Sequence, residues 1–158
     1  MIILGIDPGT RRIGYGVIEK NPAGLKFIKA GLLRVISKDD LGAIKEIKRQ
    51  IDLVINKFKP DILSIEKLFF MKNQKTAMKV AEMRGVIVSR AIEKALRIEE
   101  YSPNEVKASL TGYGFADKKS VFKMVKFILK EPGLKVIDDA SDALALAIIA
   151  GRKKNMLQ

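Results

Sequence analysis

The chain of 158 residues contains no cysteine and no histidine, and 30 lysines and arginines against 18 acidic residues leave it at +12. That composition excludes disulfides, thiolate nucleophiles, zinc–thiolate centres and a histidine general base, and it fits a reducing compartment such as the cytoplasm. With 47% apolar residues, wholesale disorder is set aside, no apolar run is long enough to span a bilayer, no basic leader is expected, and one domain over residues 1–158 would bury about 70% of its unfolded surface.

Residues 2–7, 13–20 and 25–36 are predicted strands. The short connections Gly9-Thr10-Arg11-Arg12 and Lys20-Asn21-Pro22-Ala23-Gly24 favour antiparallel neighbours. Ser37 followed by Asp40 signals a helix start, and Leu41, Ile44, Ile47, Ile51, Val54, Ile55 and Phe58 then recur at helical spacing. Pro60 ends that helix, and Ile62 to Ile65 form a short apolar strand leading to Glu66. A second long helix is predicted over 74–95 and a fifth strand over Ile98 to Tyr101.

Ser102-Pro103-Asn104-Glu105 is a complete helix start, with a serine cap, proline at the first position and glutamate at the third. After the loop Thr111 to Asp117, a helix runs from Lys118 to Lys130 and stops at Glu131-Pro132-Gly133. The last helix begins near Asp138 and continues to Gly151. Three strands, then helix, strand, helix, strand and helices imply an α/β fold. Its five-stranded sheet would be mixed: the first three strands antiparallel, the two later strands parallel to the first, and helices on both faces. In that arrangement the C-terminal ends of strands one and four lie side by side, so Asp7 and Glu66 meet.

Asp139 and Asp142, three residues apart, share one face near the positive end of the last helix. Individually these acids have ordinary readings: a turn residue before Pro8-Gly9, a salt bridge with Lys67, charge placement at a helix start. Carboxylates gathered at one sheet end are expensive to desolvate, and without histidine the natural compensator is a hard divalent ion. Two ions about 3.5–4 Å apart would suit four carboxylates, one aiming a hydroxide at phosphorus and the other stabilising a departing 3′ oxygen. Magnesium is the physiological choice and manganese its substitute, with Asp7 the leading candidate to bridge. Gly5-Ile6-Asp7-Pro8-Gly9-Thr10 is not a P-loop, and its glycines are those of a tight turn. Acidic strand-turn signatures of this kind also bind phosphate in nucleotide-dependent kinases.

The charge favours a polyanion, nucleic acid before anionic membrane, although a lysine-rich surface also suits a hot environment. Phe69 and Phe70, just beyond Glu66, either pack in the core or stack on an unpaired base and wedge a duplex open. Lys72, Lys75, Lys79 and Arg84 would extend a positive face. Small residues Ala77, Ala81, Gly85 and Ala91, with Met78, Val88 and Ile92, suit either close helix association or burial within one protomer.

With these residues in view, the sequence resembles the RuvC family of bacterial Holliday junction resolvases over nearly its whole length. The shared motifs are Gly5-Ile6-Asp7-Pro8-Gly9, Gly14-Tyr15-Gly16-Val17-Ile18, Ile65-Glu66, Lys72-Asn73, Ala81-Glu82-Met83-Arg84-Gly85, Gly112-Tyr113-Gly114 and Asp139-Ala140-Ser141-Asp142-Ala143-Leu144-Ala145. The resemblance implies an RNase H-like fold, a homodimer, work alongside a branch-migration machinery, and metal-dependent symmetric nicking of four-way DNA. It implies that Asp7, Glu66, Asp139 and Asp142 are the catalytic and metal-binding acids; some relatives carry histidine where Asp139 stands. It puts Lys107 and Lys118 beside scissile DNA, with Lys119 a weaker candidate, and favours Phe69 as the stacking ring. An RNase H-like RNA-processing nuclease, a sugar-kinase-like ATPase fragment and a non-enzymatic DNA-binding scaffold stand as rivals.

Overall fold

The computed structural model describes residues 1–68 and 74–153, and of residues 74 and 75 the backbone alone. The strands are β1 (Ile2–Asp7), β2 (Arg12–Asn21), β3 (Gly24–Arg34), β4 (Ile62–Glu66) and β5 (Arg97–Tyr101). The helices are α1 (Asp40–Phe58), α2 (Gln74–Glu93), α3 (Pro103–Thr111), α4 (Lys118–Leu129) and α5 (Asp138–Arg152). The sheet order is β3-β2-β1-β4-β5, which puts β1 at the centre. β2 runs antiparallel to β1 and β3, while β4 is parallel to β1 and β5 to β4.

The apolar run Ile2-Ile3-Leu4-Gly5-Ile6 has no alternation because β1 is covered on both sides, as parallel central strands are. Leu4, Ile6, Leu63 and Ile65 face one core with Ile47 and Ile51 of α1 and Met83 and Ile87 of α2. Ile3 and Ile62 face the other, with Val106 of α3, Val121 and Val125 of α4, and Leu144 to Ile148 of α5. The expected mixed sheet with helices on both faces is therefore present, and its topology is RNase H-like. Among the described residues no helix is long and apolar enough to cross a membrane.

Several boundaries differ from the sequence reading, each for a local reason. β3 stops at Arg34 because the next donors leave the sheet: Val35 N–H bonds Arg11 O, and Ile36 N–H donates to Glu46. Asp39, rather than Ser37, caps α1 by accepting from Gly42 N–H at 2.7 Å, while Ser37 Oγ donates to Asp39 at 2.8 Å. α2 ends at Glu93, and Ala95 turns the chain with a left-handed φ of 58°. Ala91 is fully buried in the first core and is unavailable to a partner, whereas Met78, Gly85 and Ile92 are exposed. The start of α3 is as expected: Ser102 Oγ accepts from Glu105 N–H, and the Glu105 carboxylate accepts from Ser102 N–H.

Candidate active site

β1 and β4 run in register through Ile6 and Ile65, so Asp7 and Glu66 leave adjacent strands at the same end of the sheet. The other two acids arrive on α5, which lies against β1 and β2 at backbone distance. A Cβ added at Gly5 would sit 1.9 Å from the carbonyl oxygen of Ala143, and one at Gly14 would sit 1.9 Å from that of Asp139. Gly14 is also the register partner of Asp7. These glycines are thus the seat of a helix, which corrects the tight-turn reading at Gly5. Ser64 on β4 fixes the same helix further along, its buried Oγ donating to Leu146 O at 2.6 Å. The first turns of α5 consequently bring Asp139 and Asp142 over the ends of β1 and β4.

The electrostatics record that convergence. Burial, then the charges of Asp142, Glu66 and Asp139, push the Asp7 carboxyl up to about 7, with Lys118 opposing. Burial and Asp142 raise Glu66 as well, again against Lys118. Asp139 pairs with Arg12 at 3.0 Å and Asp142 with Lys118 at 3.1 Å. The hydrogen bond to Asp142 holds the Lys118 ammonium above its ordinary range. Asp7 therefore feels the charge of all three other acids, while direct ion pairs are made by the two acids of α5, Asp139 with Arg12 and Asp142 with Lys118.

Those donors fit a hard divalent cation: they are all oxygen, mutually repelling, and two are raised by burial. Among the described residues no three acids already close around one point. Arg12 and Lys118 hold Asp139 and Asp142 as ion pairs, and an entering ion would have to displace those contacts.

A cleft of about 230 Å³ opens beside the acids, lined by Glu66, Asp142, Lys107, Lys118, Pro103 and Val106 among others. Lys119 borders a neighbouring hollow with Lys118, Asp138 and Ser141. The structure thus brings Glu66, Asp142, Lys107 and Lys118 to one cleft and couples Asp7 and Asp139 to them, with Lys119 alongside. Phe69, Phe70 and Lys72 lie outside the described residues, as does the side chain of Lys75. Arg84 corrects the expected positive face: its Nε donates to Glu66 O at 3.1 Å and its guanidinium pairs with Glu100, so it braces the end of β4 from behind. Lys79 is taken up by Asp40 at 2.9 Å. Arg12 was not foreseen at the site, because nothing local in Thr10-Arg11-Arg12 points to a partner 127 residues away.

The family model for crossover junction endodeoxyribonuclease RuvC matches residues 3–150. The crossover junction endodeoxyribonuclease RuvC of Caldicellulosiruptor saccharolyticus is 43% identical over 155 residues, covering 94% of this chain and 90% of its own length. Among solved structures, that of Thermus thermophilus RuvC matches with a TM-score of 0.85 at 27% identity, covering 94% of this chain and 92% of that one. The same organism's RuvC in complex with a Holliday junction substrate matches at 0.86 with 28% identity, covering 94% and 91%. A family match over nearly the whole chain, a relative at 43% identity and the shared architecture agree, and the chain belongs to the RuvC family of crossover junction endodeoxyribonucleases.

Proposed function

We propose that this chain is a divalent-ion-dependent endonuclease that resolves four-way DNA junctions by paired symmetric nicks, working as a single domain over residues 1–158. The observation that carries the reading is the meeting of Asp7, Glu66, Asp139 and Asp142 at one sheet end, beside a cleft walled by Lys107 and Lys118, in a member of this family. The four carboxylates would hold the ions, and Asp7, whose charge is coupled to the other three, stands at the centre of the set. When bound, two magnesium ions, or manganese in their place, would activate water for attack on phosphorus and stabilise the departing 3′ oxygen.

The remaining work belongs to the chain's own side chains. Lys107 and Lys118 neutralise phosphate and hold the scissile strand over the acids, Lys118 exchanging Asp142 for a backbone oxygen as DNA enters. Lys119 extends that grip from the adjoining hollow. Phe69 supplies a stacking face at the junction. Opposed strands are cut by two like sites in a homodimer, whose two-fold axis matches the substrate's, through the exposed α2 face that carries Met78, Gly85 and Ile92. Branch-migration machinery on the same junction in the cytoplasm completes the reading.

The test compares four-way DNA, linear duplex and structured RNA at equal phosphate concentration, with and without magnesium. Paired cuts confined to four-way DNA and dependent on the ion are the expected result. Preferential RNA cleavage would move the assignment to RNA processing, and tight junction binding with no cleavage in magnesium or manganese would make the protein a scaffold.

A further inference from the structure

Tyr113 and Phe115 stand on the loop joining α3 to α4, 62% and 73% exposed. An exposed ring on a loose loop would carry little information, but this loop is hydrogen-bonded at both of its ends. Thr111 Oγ1 donates to Lys107 O at 2.8 Å and accepts from Tyr113 N–H at 3.1 Å. Ala116 N–H returns to Tyr113 O at 3.1 Å, and the Ala116 side chain is buried in the second core. Asp117 then caps α4 by accepting from Ser120 N–H at 2.7 Å. The rings support each other, tilted by 58° with centroids 5.8 Å apart. An ordered backbone holds two large aromatic faces away from either core.

Their surroundings indicate what they meet. The loop leaves α3 at Thr111, one turn beyond Lys107, and delivers the chain into α4 at Lys118, and both lysines wall the candidate cleft. Gly114 folds the loop back toward Asn104 in the first turn of α3, next to Pro103 of the same cleft. A strand whose phosphates lie along those lysines carries bases within the same stretch of surface. Duplex stacking hides the flat faces of bases, whereas a branch point exposes them, and an aromatic ring accepts any base on its face. Cation–aromatic–cation spacing thus complements a phosphate backbone with one unstacked base.

We propose that Tyr113 and Phe115 form a stacking platform for an unpaired base of junction DNA near the scissile phosphate, separate from Phe69. The proposal rests on the four-way DNA reading above and adds a contact on the α3–α4 loop, between the two helices that carry Lys107 and Lys118.

The test uses the full chain in EDTA, so that binding is read without cleavage, and junctions carrying 2-aminopurine at nucleotides flanking the crossover. The parent should change the 2-aminopurine fluorescence on binding. The double variant Tyr113→Leu/Phe115→Leu should lose most of that change and bind the junction about tenfold more weakly, with affinity for linear duplex altered less than about twofold. Tyr113→Phe/Phe115→Tyr keeps both faces and should retain the parent's signal, which separates stacking from general damage. A leucine double variant with the parent's fluorescence change and junction affinity would overturn the proposal. So would loss of self-association in sedimentation with an unchanged signal, which would make the rings a protein contact. Should the parent neither prefer nor cut four-way DNA, the functional reading fails by itself. A 2-aminopurine single strand then decides the platform: ring-dependent binding upholds it and ring-independent binding overturns it.

Discussion

A carboxylate buried at the end of a central strand destabilises the fold unless a proton or a cation neutralises it, and Asp7 is raised from 3.8 to about 7 for that reason. The linkage has a definite sign. Between those two values the folded protein holds a proton that the unfolded chain has released. Its contribution is fully present below the lower value and is lost as pH rises through the higher one. The metal-free protein should therefore melt at a lower temperature at pH 8 than at pH 6. Asp7→Asn should flatten that difference and raise stability at pH 8 by on the order of 2 kcal/mol. Magnesium should restore the parent's melting temperature at pH 8 and do little for the variant. Calorimetric melts at the two pH values check this, and an Asp7→Asn protein less stable than the parent at pH 8 would contradict it. The acids were legible in the sequence because each ends an apolar run or opens an apolar helix, positions where a charge needs a reason. Arg12 on Asp139 and Arg84 on the Glu66 carbonyl were not legible, since pattern and spacing carry no information about partners joined only by the fold.

The way α5 is seated decides whether the site exists. Gly14→Ala would place a methyl 1.9 Å from Asp139 O, and backbone on both sides leaves nothing flexible to yield. Overpacking of this kind costs about 1–3 kcal/mol, and here the displaced turn carries two of the four acids. The expected result is a moderate loss of stability with a far larger loss of cleavage rate. Ser102→Ala is the contrasting element-scale change. Loss of its cap to Glu105 N–H should lower stability by about 1 kcal/mol while leaving cleavage at saturating DNA near the parent's. Equal rate losses in the two variants, measured by single-turnover kinetics beside thermal melts, would remove the special role of the α5 seat. The start of α3 was readable from four consecutive residues because a capping box is local. The start of α1 is less legible, since Ser37 and Asp39 both offer an oxygen near its first turn and only the three-dimensional turn selects Asp39. The role of Gly5 and Gly14 as the seat of α5 is not legible locally, because the helix that requires them lies more than a hundred positions later.

At the scale of the whole molecule, a net charge of +12 favours long-range attraction of a polyanion, while the four acids gather negative charge at one sheet end. Junction affinity should fall steeply with salt, and Lys107→Ala or Lys118→Ala should each reduce the slope of log affinity against log salt by about 1. An unchanged slope with normal cleavage would take that lysine out of the phosphate contact. Strand directions and the adjacency of β1 and β4 followed from loop lengths and the sequence of elements. The pairing of two protomers did not, because the α2 residues that suited association divide between a buried face with Ala91 and an exposed face with Met78 and Ile92. The central claim, that these carboxylates perform chemistry while the basic surface performs binding, is tested most directly by single-turnover cleavage of a four-way DNA junction in magnesium by Asp7→Asn. The expected result is a rate lower by about a thousandfold or more, with folded-state spectra and junction affinity within a few-fold of the parent. A variant that cuts within about tenfold of the parent's rate, free of contaminating nuclease, would contradict the account.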